Sequence, residues 1–164
     1  RIIKNGIYLI DLGAAPGSWS QYVIKKTKNS KILAIDLIKI EKIKNIQHFE
    51  GNFTEIKFQE QIKEYFNSKV DVVLSDMAAN TSGDKTLDSY RTGELCLNAM
   101  SLAQKILSKD GVFLSKIFMG SIFNEINEKA KKNFKKIVKY KPLSSKKESK
   151  EIYIFCKGIL KYDT

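Results

Sequence analysis

Short apolar runs closed by an acidic residue recur along the chain and lay out its plan. Ile7-Tyr8-Leu9-Ile10-Asp11 shows no alternation, as expected of a parallel strand covered on both faces. Lys31 to Asp36 repeats the pattern, Ile46 to Glu50 is a shorter third strand, and Val70 to Asp76 is a fourth. Gly111 to Phe118 is a fifth. Between these runs the period changes. Ser18 to Lys28 reads as a helix, with Pro16 near its entry, where a missing N–H costs nothing. Phe58 to Phe66 puts Phe58, Ile62, Tyr65 and Phe66 on one helical face. A polar loop from Ala78 to Leu87 precedes a long helix from Asp88 to Leu107, and Ser121 caps a further helix that runs to Lys132. Phe134 to Tyr140 and Glu151 to Cys156 close the chain as two strands around a Lys/Ser-rich loop.

Strands alternating with helices predict an α/β layer fold with a mainly parallel sheet. The last two strands follow one another without a helix, so they predict an antiparallel pair at one edge. Neither an internal repeat nor a linker divides the chain, and residues 1–164 read as one domain. Sheets of this kind place ligands at the carboxyl ends of their strands, near the switch in strand order. Asp11, Asp36 and Asp76 each fall at such an end, and Lys116 lies within or near the end of another strand.

Composition narrows the chemistry. The chain carries 29 Lys and Arg against 18 Asp and Glu, a net charge of +11, with 43% hydrophobic residues to build a core. Two cysteines, Cys96 and Cys156, make no disulfide framework and lack metal-ligand spacing. One histidine, His48, argues against a His-based zinc site or a Ser-His-Asp hydrolase, so no metal is expected. No apolar run approaches the roughly 18 residues of a membrane span, and no signal peptide is visible. The expectation is a cytoplasmic monomer without membrane contact, a mitochondrial location remaining open. The charge is uneven. Residues 1–30 carry +4, residues 31–120 balance, and residues 121–164 carry +7. Basic ends around a neutral middle suit a polyanionic partner. A lysine-rich composition accounts for part of the excess, because 27 of the 29 basic residues are Lys.

Gly13 and Gly17 frame a turn between the first strand and the first helix, in Asp11-Leu-Gly-Ala-Ala-Pro-Gly17. A dinucleotide fingerprint would place its middle glycine where Ala15 stands, so close approach of a pyrophosphate is disfavoured. Asp36 closes the next strand, where a carboxylate can accept from both hydroxyls of a ribose. A glycine turn and a ribose acid without a phosphate cradle suit an adenosine ligand such as S-adenosylmethionine. Taken singly, each acid is better explained by loop capping, but together with the turn the pair Asp11 and Asp36 favours a ligand.

These residues carry a family resemblance. Asp11 to Val23, with Gly13-Ala14-Ala15-Pro16-Gly17-Ser18-Trp19 at its centre, resembles the first motif of the RrmJ/FtsJ family of ribosomal RNA 2′-O-methyltransferases. Ser75-Asp-Met-Ala-Ala-Asn80, Lys116-Ile-Phe118 and Ser144 to Ile154 resemble its later blocks, in order and at similar spacing. The resemblance implies a Rossmann-like sheet of seven strands with an antiparallel C-terminal hairpin. It implies that the turn Gly13–Trp19 holds the methionine part of S-adenosylmethionine and Asp36 its ribose. Asn52 and Phe53 stand where the family has Asp-Phe beside the adenine, and Asn52 keeps a carbonyl acceptor while losing a charge-assisted bond.

The resemblance further implies a catalytic Lys-Asp-Lys-Glu set, of which Asp76, Lys116 and Glu151 are the last three members. Lys116 would orient and activate the hydroxyl, either as a neutral base or as a charged stabiliser, with Asp76 and Glu151 positioning it and the ribose. The family's first lysine lies on a helix upstream of the first strand. The sequence begins at Arg1 and Lys4 does not match it, so strongly reduced transfer is expected of these residues alone. Asn80, Arg91 and Tyr153 are the candidate substrate contacts, and Trp19, His48 and the cysteines also read as ordinary packing residues. The expected reaction is 2′-O-methylation of large-subunit ribosomal RNA, at a uridine. Transfer RNA as substrate, or a non-catalytic RNA-binding assembly factor, are the competing readings.

Overall fold

The computed structural model describes residues 1–79, 82–120 and 122–161. Seven strands lie in one sheet: β1 (Tyr8–Leu12), β2 (Lys31–Asp36), β3 (Gln47–Glu50), β4 (Val70–Ser75), β5 (Leu107–Phe118), β6 (Phe134–Tyr140) and β7 (Glu151–Ile159). Their order is β3-β2-β1-β4-β5-β7-β6. The first five are parallel and β7 runs antiparallel to both neighbours, so the expected closing hairpin is present. The order reverses between β1 and β4, which puts the crevice of the switch point at the ends of these two strands.

Four helices cover the sheet: α1 (Ser18–Lys26), α2 (Ile56–Phe66), α3 (Lys85–Ile106) and α4 (Phe123–Asn133). The larger core joins β1, β2, β4 and β5 residues such as Ile10, Leu33, Val73 and Phe113 to Ile62 of α2, Met100 of α3 and Ile126 of α4. The opposite face carries a smaller core in which Leu9, Ile32, Val72 and Val112 meet Val23 of α1. A strand buried on both sides needs apolar residues at every position. That is why β1, β2 and β4 read as unbroken runs.

Several boundaries differ from expectation: α2 starts two residues early, at Ile56, and β7 runs on to Ile159 rather than ending at Cys156. The long helix begins at Lys85, three residues early, because the Asp84 carboxylate accepts from the Thr86 and Leu87 N–H groups and caps it. β5 begins at Leu107, its first residues pairing with Val70 before a register shift lets Val112 pair with Val72. The polar Ser108-Lys109-Asp110 segment carries no strand periodicity, so this extension was invisible to pattern. Ser121, expected as a helix cap, lies outside the described residues, and the helix that follows starts at Phe123.

Candidate active site

β1 feeds directly into the glycine turn. Gly13 and Gly17 both have positive φ, at 70° and 111°. A Cβ on Gly13 would lie 2.4 Å from Met77 Cγ, so the turn packs against the segment that follows β4. The N–H groups of Gly13 and Ala14 donate to the Ile35 carbonyl at 2.9 and 3.1 Å, and that of Ala15 donates to Asp36 Oδ2 at 2.9 Å. Pro16 has no N–H. The N–H groups of Gly13, Ala14 and Ala15 are therefore spent on β2 and closed to a phosphate, which weighs against the dinucleotide alternative. Ala14 is buried with Ala34 and Ile40, and Ser18 opens α1, exposed, behind Gly17.

Asp36 sits at the end of β2, its Oδ1 accepting from Ile38 N–H at 3.2 Å. Each carboxylate oxygen keeps a further lone pair, so two hydroxyls of a ribose can still be bound. Asn52 differs from expectation. Its Oδ1 accepts from both the N–H and the hydroxyl of Thr54, at 3.0 and 2.7 Å, so the carbonyl is already committed and only the amide NH₂ is free to meet a ligand. Phe53 is buried at 6% exposure in the larger core, and its ring packs there rather than facing the crevice.

Asp11 is almost fully buried, inside β1 rather than at its tip. Ser20 Oγ donates to its Oδ2 at 2.7 Å, while Oδ1 is buried without a hydrogen-bond partner. Burial pushes its carboxyl up to about 6 against the opposing pull of the Ser20 hydroxyl, with Asp76 and Asp36 adding repulsion. An orphaned anionic oxygen beside the glycine turn is complementary to a cationic amino acid group. Together with Asp36 it makes the donor set fit the methionine and ribose parts of S-adenosylmethionine.

Asp76 is the hub. Its Oδ1 pairs with Lys116 Nζ at 3.1 Å and accepts from the Tyr153 hydroxyl at 3.1 Å, and its Oδ2 accepts from Trp19 Nε1 at 3.1 Å. Three donors from α1, β5 and β7 fix one carboxylate. Trp19 thus does more than pack: at 41% exposure it ties the end of the glycine turn to the hub. Burial and the Asp76 charge raise the Tyr153 phenol far above its ordinary range, so it remains a donor. Glu151 pairs with Phe118 in the β5–β7 register and lies two residues from Tyr153, on the same sheet face. Among the described residues it forms no ion pair with Lys116.

A cleft of about 520 Å³ opens beside the hub, between the start of α3 and the Phe118–Gly120 segment, with Thr92, Met119 and Lys150 in its walls. The Ser89 hydroxyl, also at this wall, is buried without a partner. Thr92 Oγ1 accepts from Ala79 N–H at 3.1 Å and holds the segment after β4 against α3. Arg91 is exposed on α3 and does not line the cleft. Asn80 lies outside the described residues. Sequence reasoning missed this cleft and Ser89, since nothing in a polar helix start marks a buried hydroxyl.

Comparison with known proteins bears on family and fold. The model of the FtsJ-like methyltransferase family matches residues 1–159. The ribosomal RNA large subunit methyltransferase E of Pelagibacter ubique is 53% identical over 157 residues, covering 96% of this chain and 77% of that protein. The crystal structure of a ribosomal RNA methyltransferase from Plasmodium falciparum superposes with a TM-score of 0.85 at 29% identity, covering 96% of this chain and 89% of its own. A Streptococcus mutans methyltransferase solved with SAH shares the fold, at a TM-score of 0.60 and 13% identity, covering 95% of this chain and 88% of its own.

Proposed function

Because this chain belongs to the FtsJ-like methyltransferase family, we propose that it methylates a ribose 2′-hydroxyl of large-subunit ribosomal RNA, as a cytoplasmic monomer. The carrying observation is the Asp76–Lys116–Tyr153 network at the carboxyl edge of the sheet, between a turn that suits a methionine moiety and a cleft wide enough for a nucleotide. Asp11, the Gly13–Trp19 turn and Asp36 would hold S-adenosylmethionine, which when bound would supply an electrophilic methyl group on a sulfonium.

The residues of the chain do the positioning. A ribose hydroxyl is a weak nucleophile, and fixing it in line with the methyl group supplies much of the acceleration. Lys116 is the group that reaches the hydroxyl oxygen. Asp76 clamps Lys116 from one side and is itself clamped by Tyr153 and Trp19, so the lysine loses little freedom when substrate arrives. Glu151 shares the face of Lys116 without touching it, which suits a contact to the neighbouring hydroxyl of the same ribose. The cleft beside Lys116 takes the nucleotide, with Ser89 and Lys150 able to meet its polar groups.

Transfer of tritiated methyl groups to large ribosomal subunits, with transfer RNA as the competing acceptor, tests the reading. Incorporation into large-subunit RNA that is lost in Lys116→Ala and Asp76→Ala is expected. Incorporation into transfer RNA alone would move the substrate assignment, and RNA binding without any transfer would favour the assembly-factor reading.

A further inference from the structure

One aromatic ring near the site is used by nothing described so far. Tyr140 ends β6, the outermost strand of the sheet. The register places Lys116 opposite Tyr153 across β5 and β7, and Tyr153 opposite Tyr140 across β7 and β6. Residues directly opposite one another share a face, so Lys116, Tyr153 and Tyr140 form one row leading from the Asp76 hub to the sheet edge. The row is held by contact as well as register. Tyr153 donates to Asp76, and the rings of Tyr140 and Tyr153 stack with centroids 5.7 Å apart and planes 19° from parallel.

Tyr140 is 45% exposed. One of its faces lies on Tyr153, and among the described residues no strand lies beyond β6 to cover the other. An exposed tyrosine held flat by a second, hydrogen-bonded tyrosine is a preorganised surface for another flat ring, because its rotamer is already set before anything binds. The loop that follows Tyr140 to β7 carries Lys141, Lys146, Lys147 and Lys150 against one acid, Glu148, which is the sign that RNA requires, whereas Lys139 Nζ meets Asn127 and the Phe123 ring of α4. Aromatic platforms beside lysines are how proteins hold unpaired nucleic acid bases.

We infer that the outward face of Tyr140 stacks a nucleobase of the RNA substrate, one that neighbours the methylated nucleotide rather than belonging to it. Two strand spacings and one stacking distance put this base on the order of 13 Å from Lys116, too far for the reacting nucleotide. The platform therefore sets where along the strand the reacting ribose falls. It requires an unpaired base at that place, which makes local single-strandedness part of substrate choice. This inference rests on the RNA methyltransferase reading above.

The test is a series at position 140, measured as KM and kcat for methyl transfer to large-subunit RNA and as affinity for a labelled single-stranded oligonucleotide. Tyr140→Phe and Tyr140→Trp retain a flat ring and should stay close to the parent. Tyr140→Ala and Tyr140→Leu should lose about tenfold or more in affinity, with the loss appearing in KM. Leucine decides the matter, since it preserves apolar packing on Tyr153 without offering a stacking face. Tyr140→Leu binding RNA as well as Tyr140→Phe would overturn the inference while leaving the methyltransferase reading intact. A parent that methylates no RNA would instead overturn the reading on which it rests.

Discussion

The side-chain oxygen of Asn52 is occupied by Thr54, so a ligand amino group meets no acceptor there. An aspartate at this position would keep one oxygen on Thr54 and turn the second outward, adding a charge-assisted acceptor. Asn52→Asp is therefore expected to tighten S-adenosylmethionine binding several-fold by calorimetry, and unchanged affinity would refute it. Asp11 makes a separate prediction through its buried carboxyl, raised to about 6 from an ordinary 3.8. Between these values the folded state holds the proton more firmly than the unfolded chain does. The stabilising contribution is thus full below about pH 4 and lost as pH rises through 6, worth about 3 kcal/mol at most. Urea unfolding of the parent and of Asp11→Asn should show it: the stability difference, parent minus variant, should fall across that window, whereas a constant difference would contradict it.

Packing between elements overrides propensity at Gly93, in the interior of α3. Alanine normally favours a helix over glycine by about 1 kcal/mol. Here an added Cβ would lie 1.9 Å from Ile122 Cγ2, at the entry to α4. Gly93→Ala should therefore destabilise, by about 1–3 kcal/mol, and lower the melting temperature. A rise would mean that Ile122 yields freely. The same contrast explains what could be read beforehand. β1, β2 and β4 were visible because burial on both faces leaves an unmistakable apolar run, and Asp36 and Asp76 were visible because they end or follow such runs. Trp19 meeting Asp76 was not, since the contact spans 57 residues and depends on how α1 crosses the sheet. Nor was Tyr140, whose meaning comes from its partner across β7 rather than from its neighbours in sequence. The start of α3 was legible in principle, through Asp84 as its cap.

At the scale of the whole molecule, the charge has two competing explanations. Lysines along an exposed edge strand block pairing with other chains, and β6 carries Lys135, Lys136 and Lys139 on such an edge. The loop lysines Lys146 and Lys147 protect no strand, yet they stand at the end of the sheet that holds Lys116 and Tyr140. If the basic C-terminal quarter serves RNA, binding must release counterions, and affinity must fall steeply with salt. Six phosphate contacts to single-stranded RNA would give a log–log slope near about −4. S-adenosylmethionine, held by Asp11, the Gly13–Trp19 turn and Asp36 with no phosphate to neutralise, should show little such dependence. Replacing Lys146 and Lys147 together by glutamine should then reduce the steepness by about 1.4, with cofactor affinity unchanged. An unaltered slope accompanied by aggregation would assign these lysines to solubility instead. Titrations of labelled RNA between low and moderate salt distinguish the two, because edge protection acts on folded-state association and leaves no trace in the salt dependence of a one-to-one complex.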